Sequence, residues 1–576
     1  VGSPKKEENV VVSTYTNPVY EYRRHPDQEA ATPAHHPVII VGGGPTGLYM
    51  ALDFARQGIA TVVLDNDSTV SFGSRALCFS KRTLEILDRV GCGEPVAEKG
   101  VTWQLGKVFF HQQQVYEFNL LPEQGHQRPA FVNIQQYYPE EYLVNTILET
   151  PAVSLRWLNT VKQVRRTGER VEVVTETPDG EYRMTCDYVL VADGANSGIR
   201  ESLGLESQGQ IFDDTFLIAD IAMQADFPTE RWFWFDPPFW PGQSVLLHRQ
   251  PDGIWRIDFQ LGPNADRDEW KQPEKVRPLI EAMLGDVPFE FEWLSVYRFR
   301  CRRMDSFIHE DRILFVGDSA HQVSPFGARG ANGALQSAEN LVWKLARILR
   351  GTAPATLLDT YDEERSHGAD ENILNSTRAT DFITPKNRVT RLFRDTVLEL
   401  AQEYPFARSL INSGRLSVPC TYENASLSTP DDPADGFPAE MRPGSVCKDA
   451  PVRVLVPASD KSSREPWLLR HLGERFVALV AVGKGGMTDT LRSQIETLQA
   501  LDDLDVVVID NDQVPAGVLA LADEQHFMHA RLALQPGTTY LFRPDQHVAA
   551  RWRSLDVTRV QAAMQHALGR PAKEVK

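Results

Sequence analysis

His36 to Asp67 reads HPVIIVGGGPTGLYMALDFARQGIATVVLDND, and this stretch decides the fold. Val38 to Val41 is a short apolar run, as in a strand covered on both faces. Glycines follow, then Leu48, Leu52 and Ala55 recur at helical spacing until Gly58, and ATVVLD reads as a second strand. The result is a βαβ unit. Its loop carries Gly42-x-Gly44-x-x-Gly47. Gly42 permits the tight turn, Gly44 lets a pyrophosphate approach the backbone, and Gly47 allows close helix–strand packing. The helix that starts with Pro45 and Thr46 offers free N–H groups and about half a positive charge. Asp65 ends the second strand where an acid accepts ribose hydroxyls, with Asn66 beside it. A dinucleotide is expected here, and the loop alone does not choose NAD over FAD. A glycine turn without a ligand is the plain alternative.

The chain has 576 residues and a net charge of −18, which disfavours a nucleic-acid partner. No apolar run approaches the roughly 20 residues of a membrane span, so no membrane role is expected. The first 35 residues have no apolar h-region and read as a partly ordered arm. Cys78, Cys92, Cys186, Cys301, Cys420 and Cys447 form no CxxC pair and no cluster with histidine, so no metal is expected. Isolated thiols fit a reducing, cytoplasmic setting.

Further along, Val153 to Arg200 reads as a β-meander that returns to a buried strand, Tyr188 to Ala192. Phe212 to Arg300 is rich in strand formers and tryptophan, so a mostly antiparallel sheet is expected there. Gly317 to Asn332 then reads GDSAHQVSPFGARGAN, with an apolar strand before it and a long helical pattern after it. This is a second stretch of bare backbone between strand and helix. Beyond a proline-bearing loop near Arg442, strands and helices alternate to the end. VGKGGMT, Val482 to Thr488, lacks the third glycine and the acid of a second dinucleotide fingerprint.

The glycine loop, ADGANSGIR at Ala192 to Arg200, and RILFVGDSAHQVSPFGARGANGALQSAENLVWKLA together resemble the signatures of group A FAD-dependent aromatic hydroxylases. GSRALCFSKRTLEILDRVG and NIQQYYPEEYL are similar to further stretches of that family, strongly over about Pro37 to Arg365. The branch resembled is that of phenol hydroxylase and 3-(3-hydroxyphenyl)propionate hydroxylase.

The resemblance implies an α/β FAD-binding domain of Rossmann-like, glutathione-reductase type. An inserted antiparallel β-sheet substrate domain and a C-terminal thioredoxin-like α/β domain complete it. The boundaries expected are an arm at 1–35, FAD-binding parts at 36–205 and 310–375, the sheet at 206–309, a helical connection at 376–443 and the C-terminal domain at 444–576.

Asp318 would hydrogen-bond the ribityl chain of FAD, and Gly330, Ala331 and Asn332 would aim a helix N-terminus at the flavin. Arg329 would add charge, and Pro325 would present a carbonyl to the substrate hydroxyl. Asp193 and Arg200 would bridge the FAD and nicotinamide pyrophosphate regions, or simply anchor the turn. Arg75 and Gln136 match positions that touch FAD, while His321 reads as structural. Ser337 departs from the family's usual Asp. His248 is the candidate for a polar substrate group, or a locally paired strand residue.

The expected reaction is hydroxylation of a small phenolic aromatic in aromatic catabolism through a C4a-hydroperoxyflavin, with transient NAD(P)H and O2, in a homodimer. A tailoring oxygenase of polycyclic natural products is the alternative. Trp232-x-Trp234-x-Asp236-Pro237 keeps a flavin-dependent halogenase open as a further one.

Overall fold

The computed structural model describes residues 14–73, 75–411, 416–459, 465–482 and 486–570. The first part of the arm and the centre of VGKGGMT lie outside the described residues.

The first sheet runs, in spatial order, through Ile308–His309, Ile313–Phe315, Gly180–Val191, Ala34–Val41, Thr61–Leu64 and Val153–Arg156. From Ile313–Phe315 to Val153–Arg156 its strands are parallel. Arg170–Thr177 and Thr160–Thr167 add the expected meander on Gly180–Val191. The register sets the site. Val41 pairs with both Leu64 and Val191, and Val191 pairs with Phe315. Four chain segments therefore leave the sheet at one edge, its carboxyl end, where open α/β sheets bind ligands. That is how the turns at Gly42 and Gly317 reach the same edge, on either side of the segment that leaves at Ala192.

The second sheet has eight strands and draws on more than 206–309. His321–Gln322 joins one edge, and Leu105–Phe110 with Gln113–Asn119 extend the other. Leu105–Phe110 pairs parallel with Arg231–Phe235 and alternates Gly106, Val108 and Phe110 inward, so it completes a face that 206–309 leaves open. Side chains alternate along the strands. Leu217, Leu247, Ile257 and Phe259 cover the outer face against the helix Pro273–Leu284. Phe216, Phe233, Leu246 and Phe299 cover the inner face against Ile383, Val397 and Leu398.

A six-stranded sheet, order Arg453–Val456, Leu519–Ala522, Leu504–Ile509, Phe476–Ala481, Thr539–Phe542 and Val548–Trp552, forms the C-terminal unit. Helices Asp489–Gln499 and Val557–Ala567 pack on it.

The helix Gly330–Leu349 joins these units and is buried from Asn332 to Arg347. Its charges must therefore be matched. Glu339 accepts from Arg82 at 2.7 Å and Arg89 at 2.6 Å. Lys344 donates to Glu364 at 2.7 Å, and Glu364 also accepts from Arg543, which pairs with Asp545. Arg347 meets Asp503 at 2.8 Å. Arg543, Asp545 and Asp503 all belong to the C-terminal unit. Burial opposes the charge of Glu364, yet Arg543 and Lys344 outweigh it and hold the carboxyl down to about 2.

The arm from Thr14 onward lies along the first sheet. Tyr15 stacks on Tyr137 at 4.0 Å and Tyr20 on Trp157 at 4.6 Å. Asn17 donates to the carbonyls of Val70 and Ser71, and the Tyr20 N–H donates to that of Ser68.

Arg543→Ala leaves two carboxylates buried without their guanidinium and is expected to cost about 3–5 kcal/mol of stability. Arg453→Ala, which breaks an exposed pair with Glu524, is expected to stay within about 1 kcal/mol. Denaturant unfolding checks both. Because the folded pKa of Glu364 is depressed from 4.5, its contribution is complete above about pH 4.5 and drains away as pH falls toward 2. Thermal midpoints across that window read it.

Candidate active site

Gly42 has φ +110°, and a side chain there would run into the carbonyl of Ala192. A side chain on Gly47 would run into the carbonyl of Gly42. Both glycines serve packing. Gly44 is different: nothing lies within 4 Å of where its Cβ would stand. It is the N-cap of the helix Pro45–Arg56, and no side chain caps that helix end. The open space lies where first-turn N–H groups point, as a bound pyrophosphate requires. Pro45 at the first position loses no needed donor. Thr46 stands beside Gly317, 3.2 Å from where a Cβ on that glycine would be.

Asp65 accepts from the N–H of Gly43 at 2.5 Å and of Asp67 at 2.7 Å, while burial pushes its carboxyl up. Asn66 is exposed beside it. Asp193 crosses behind Gly42; its Oδ2 accepts from the Ile199 N–H, and its buried Oδ1 has no partner. Burial raises this carboxyl too. Arg200 donates to the carbonyls of Ser319 at 2.6 Å and Ala195 at 3.0 Å, so its guanidinium ties the second loop to the third. Of its two expected roles, the anchoring one is what its hydrogen bonds perform.

Asp318 is exposed by area, yet protein surrounds it so closely that desolvation pushes its carboxyl up to about 6. Those two properties together describe a recess. Gly317, with φ +68°, turns the chain into it. In the loop that follows, the Pro325 carbonyl accepts from the Ala328 N–H at 2.9 Å and keeps a second lone pair. Arg329 is buried and donates to the Phe326 carbonyl at 3.1 Å. Its guanidinium occupies the place that a side chain on Gly327 would need, so it curls under its own loop.

Gly330 and Ala331 open the long helix, which no side chain caps. Asn332 can serve a ligand only through its backbone. Its Oδ1 accepts from the Ser80 N–H and the Thr83 hydroxyl, and its Nδ2 donates to the carbonyls of Cys78 and Ala328. Gln136 is similarly engaged, accepting from the Ala76 N–H and donating to Glu140. It thereby fixes the loop that carries the exposed Arg75. His321 is buried, its Nε2 lies 3.0 Å from Ser337 Oγ, and burial pushes it down to about 3. Ser337 also accepts from Arg365, so the departure from Asp closes a local network.

The glycine cradle, Asp65, the unpartnered Asp193 oxygen and the Asp318 recess share one edge of the first sheet, and this donor set fits a dinucleotide. The sequence over residues 35–376 matches the family described as "FAD binding domain". The chain belongs to that family. It is an FAD-dependent monooxygenase of the aromatic hydroxylase kind.

The 6-methylpretetramide 4-monooxygenase of Streptomyces rimosus is 28% identical over 92% of this chain and 93% of its own length. The 3-(3-hydroxy-phenyl)propionate/3-hydroxycinnamic acid hydroxylase of Klebsiella pneumoniae is 26% identical over 91% and 93%. Among solved structures, the flavin-dependent monooxygenase PieE with FAD and substrate superposes with a TM-score of 0.76. It is 21% identical and covers 94% of this chain and 100% of that one. Aklavinone-11 hydroxylase with FAD and aklavinone gives 0.73, at 20% identity over 94% and 100%. At these identities the superpositions speak for the fold.

Where the FAD site meets the second sheet, Phe326 packs on Phe216 and Phe299 of the inner face. His248 lies on the same sheet, opposite Arg256 in register, buried and with its Nδ1 unpartnered. Burial and two arginines drive it to the neutral form. Trp234 stacks on Phe109, Trp232 meets it at a tilt, and both pack among the outer-face residues, away from the Phe326 loop. Arg231 and Asp258, which no sequence motif singles out, share the inner side. The signal for Asp258 is a polar residue at every second place in IWRIDFQ, a strand whose other places are apolar, and Arg231 stands at the start of RWFWF with no such pattern around it.

Gly44→Val fills the open space without backbone strain, since φ there is −79°. FAD binding, read by quenching of flavin fluorescence, is expected to weaken about 100-fold, roughly 2.7 kcal/mol, while the apoprotein unfolds as before. Gly42→Ala, at a positive φ, is expected to lower apoprotein stability itself by about 1–3 kcal/mol.

Proposed function

We propose that the chain hydroxylates an electron-rich, phenolic aromatic ring with NAD(P)H and O2. NAD(P)H, O2, a proton and the arene would yield NAD(P)+, water and the hydroxylated arene. The observation that carries this reading is the meeting of the Pro325–Arg329 loop with the aromatic inner face, beside the FAD cradle.

Gly44 and the first turn at Pro45 and Thr46 would take the pyrophosphate, Asp65 the ribose, and Asp318 the ribityl chain. When bound, FAD supplies acceptance of a hydride and activation of oxygen. The protein supplies the field and the dryness. The uncapped N-terminus at Gly330 directs positive potential to where negative charge gathers. The second lone pair of Pro325 can only accept, so it orients a substrate hydroxyl and draws on its proton. Phe216, Phe299 and Phe326 exclude water from that space.

Relatives on both sides of the activity support two substrate classes, a single-ring phenolic acid and a polycyclic tailoring substrate. We read the C-terminal sheet as thioredoxin-like with a structural role, the assembly as a homodimer and the setting as cytoplasmic. The buried ion pairs between the C-terminal unit and the long helix support the structural role.

NAD(P)H oxidation by the FAD-loaded protein is expected to rise at least tenfold when a suitable phenol is added, and a product heavier by one oxygen atom should appear. Peroxide as the sole product with every aromatic tried would remove this reading.

A further inference from the structure

Resting on the hydroxylase reading, we propose that Arg231, with His248 and Asp258 beside it, seats a carboxylate of the substrate, making the preferred substrate a hydroxylated aromatic acid.

Arg231 opens the strand Arg231–Phe235 and keeps only 5% of its surface exposed. Among the described residues its guanidinium makes no hydrogen bond and no ion pair. A guanidinium buried in that condition loses water and has only the more distant charge of Asp258 to offset it, so burial pulls its pKa down. Its neighbour shows what satisfaction looks like: Arg256 takes both oxygens of Asp220, at 2.8 and 3.0 Å. Gln250 also donates to Asp220, so that acid is spent. Two further buried atoms nearby are without partners, Nδ1 of His248 and Oδ1 of Asp258. Three unpaired polar groups in one place mean that a ligand completes them.

The place is the right one. His248 lies 6.4 Å, ring to ring, from Trp103, which shares an apolar cluster with Cys78 and with Ala328 of the flavin-side loop. The Cys78 carbonyl is held by Asn332 in the first turn of the long helix. These groups thus lie between the second sheet and the first turn of the long helix.

The ligand's chemistry follows from the donors. A guanidinium presents a planar fork, and a carboxylate matches it with two oxygens. His248, driven neutral, and Asp258 can bond a hydroxyl or the carboxyl's outer lone pairs. Burial pushes Asp258 up to about 6, and a second carboxylate beside it would push it further toward the neutral, donating form.

The test titrates FAD-loaded protein with 3-hydroxybenzoate, 3-(3-hydroxyphenyl)propionate, 3-hydroxycinnamate and 3-hydroxy-2-naphthoate, each against its neutral amide, following the flavin difference spectrum. At least one acid is expected to bind tenfold or more tightly than its amide. Arg231→Gln should erase that preference, and Arg231→Lys should keep part of it, with FAD content and thermal midpoint unchanged in both. Equal binding of acids and amides, or a preference that survives R231Q, overturns the proposal. If only neutral phenols bind and are hydroxylated, the carboxylate seat falls while the hydroxylase reading stands. If no aromatic stimulates NAD(P)H oxidation at all, both fall.

Discussion

Sinking the helix Gly330–Leu349 into the middle of the molecule strips water from Glu339, Lys344 and Arg347, and the architecture is arranged around answering those charges. Removing water from an ion costs several kcal/mol unless a counter-charge and hydrogen bonds replace it. The answers come from far apart in the chain: Arg82 and Arg89 from one side, Glu364 with Arg543 and Asp503 from the other. The C-terminal unit is therefore part of the support for a helix whose opposite end, at Gly330, follows the Pro325–Arg329 loop. It holds that helix through buried charge pairs.

That support explains why the cofactor site can be built from glycine loops. Loops offer little rigidity of their own. Here each is pinned by a residue from another: Arg200 holds Ser319, Asn332 holds the Cys78 segment, and Gln136 holds Ala76. The bare backbone at Gly44 stays bare because its neighbours carry the packing.

Much of this was legible in the residues. The βαβ start, the acid at Asp65 and the second glycine patch before a helix each have a local signature, because backbone turns and strand burial leave period and composition behind. The joining of Leu105–Phe110 to the second sheet did not show, since pairing partners are set by tertiary register and not by propensity. The roles of Arg200, Gln136 and Asn332 were visible as positions but not as contacts. Whether an amide spends its hydrogen bonds on protein or ligand depends on what folds against it. Arg231 and Asp258 were hidden for the opposite reason, being ordinary charged residues until burial made them expensive.

The arm has a consequence for cofactor retention. Asn17 and Tyr20 grip Val70, Ser71 and Ser68, the loop that leads away from Asp65. Clipping the peptide between the aromatic anchors Tyr15 and Tyr20 would spare every glycine and every strand, yet slacken the loop that follows Asp65, at the sheet edge where the glycine cradle lies.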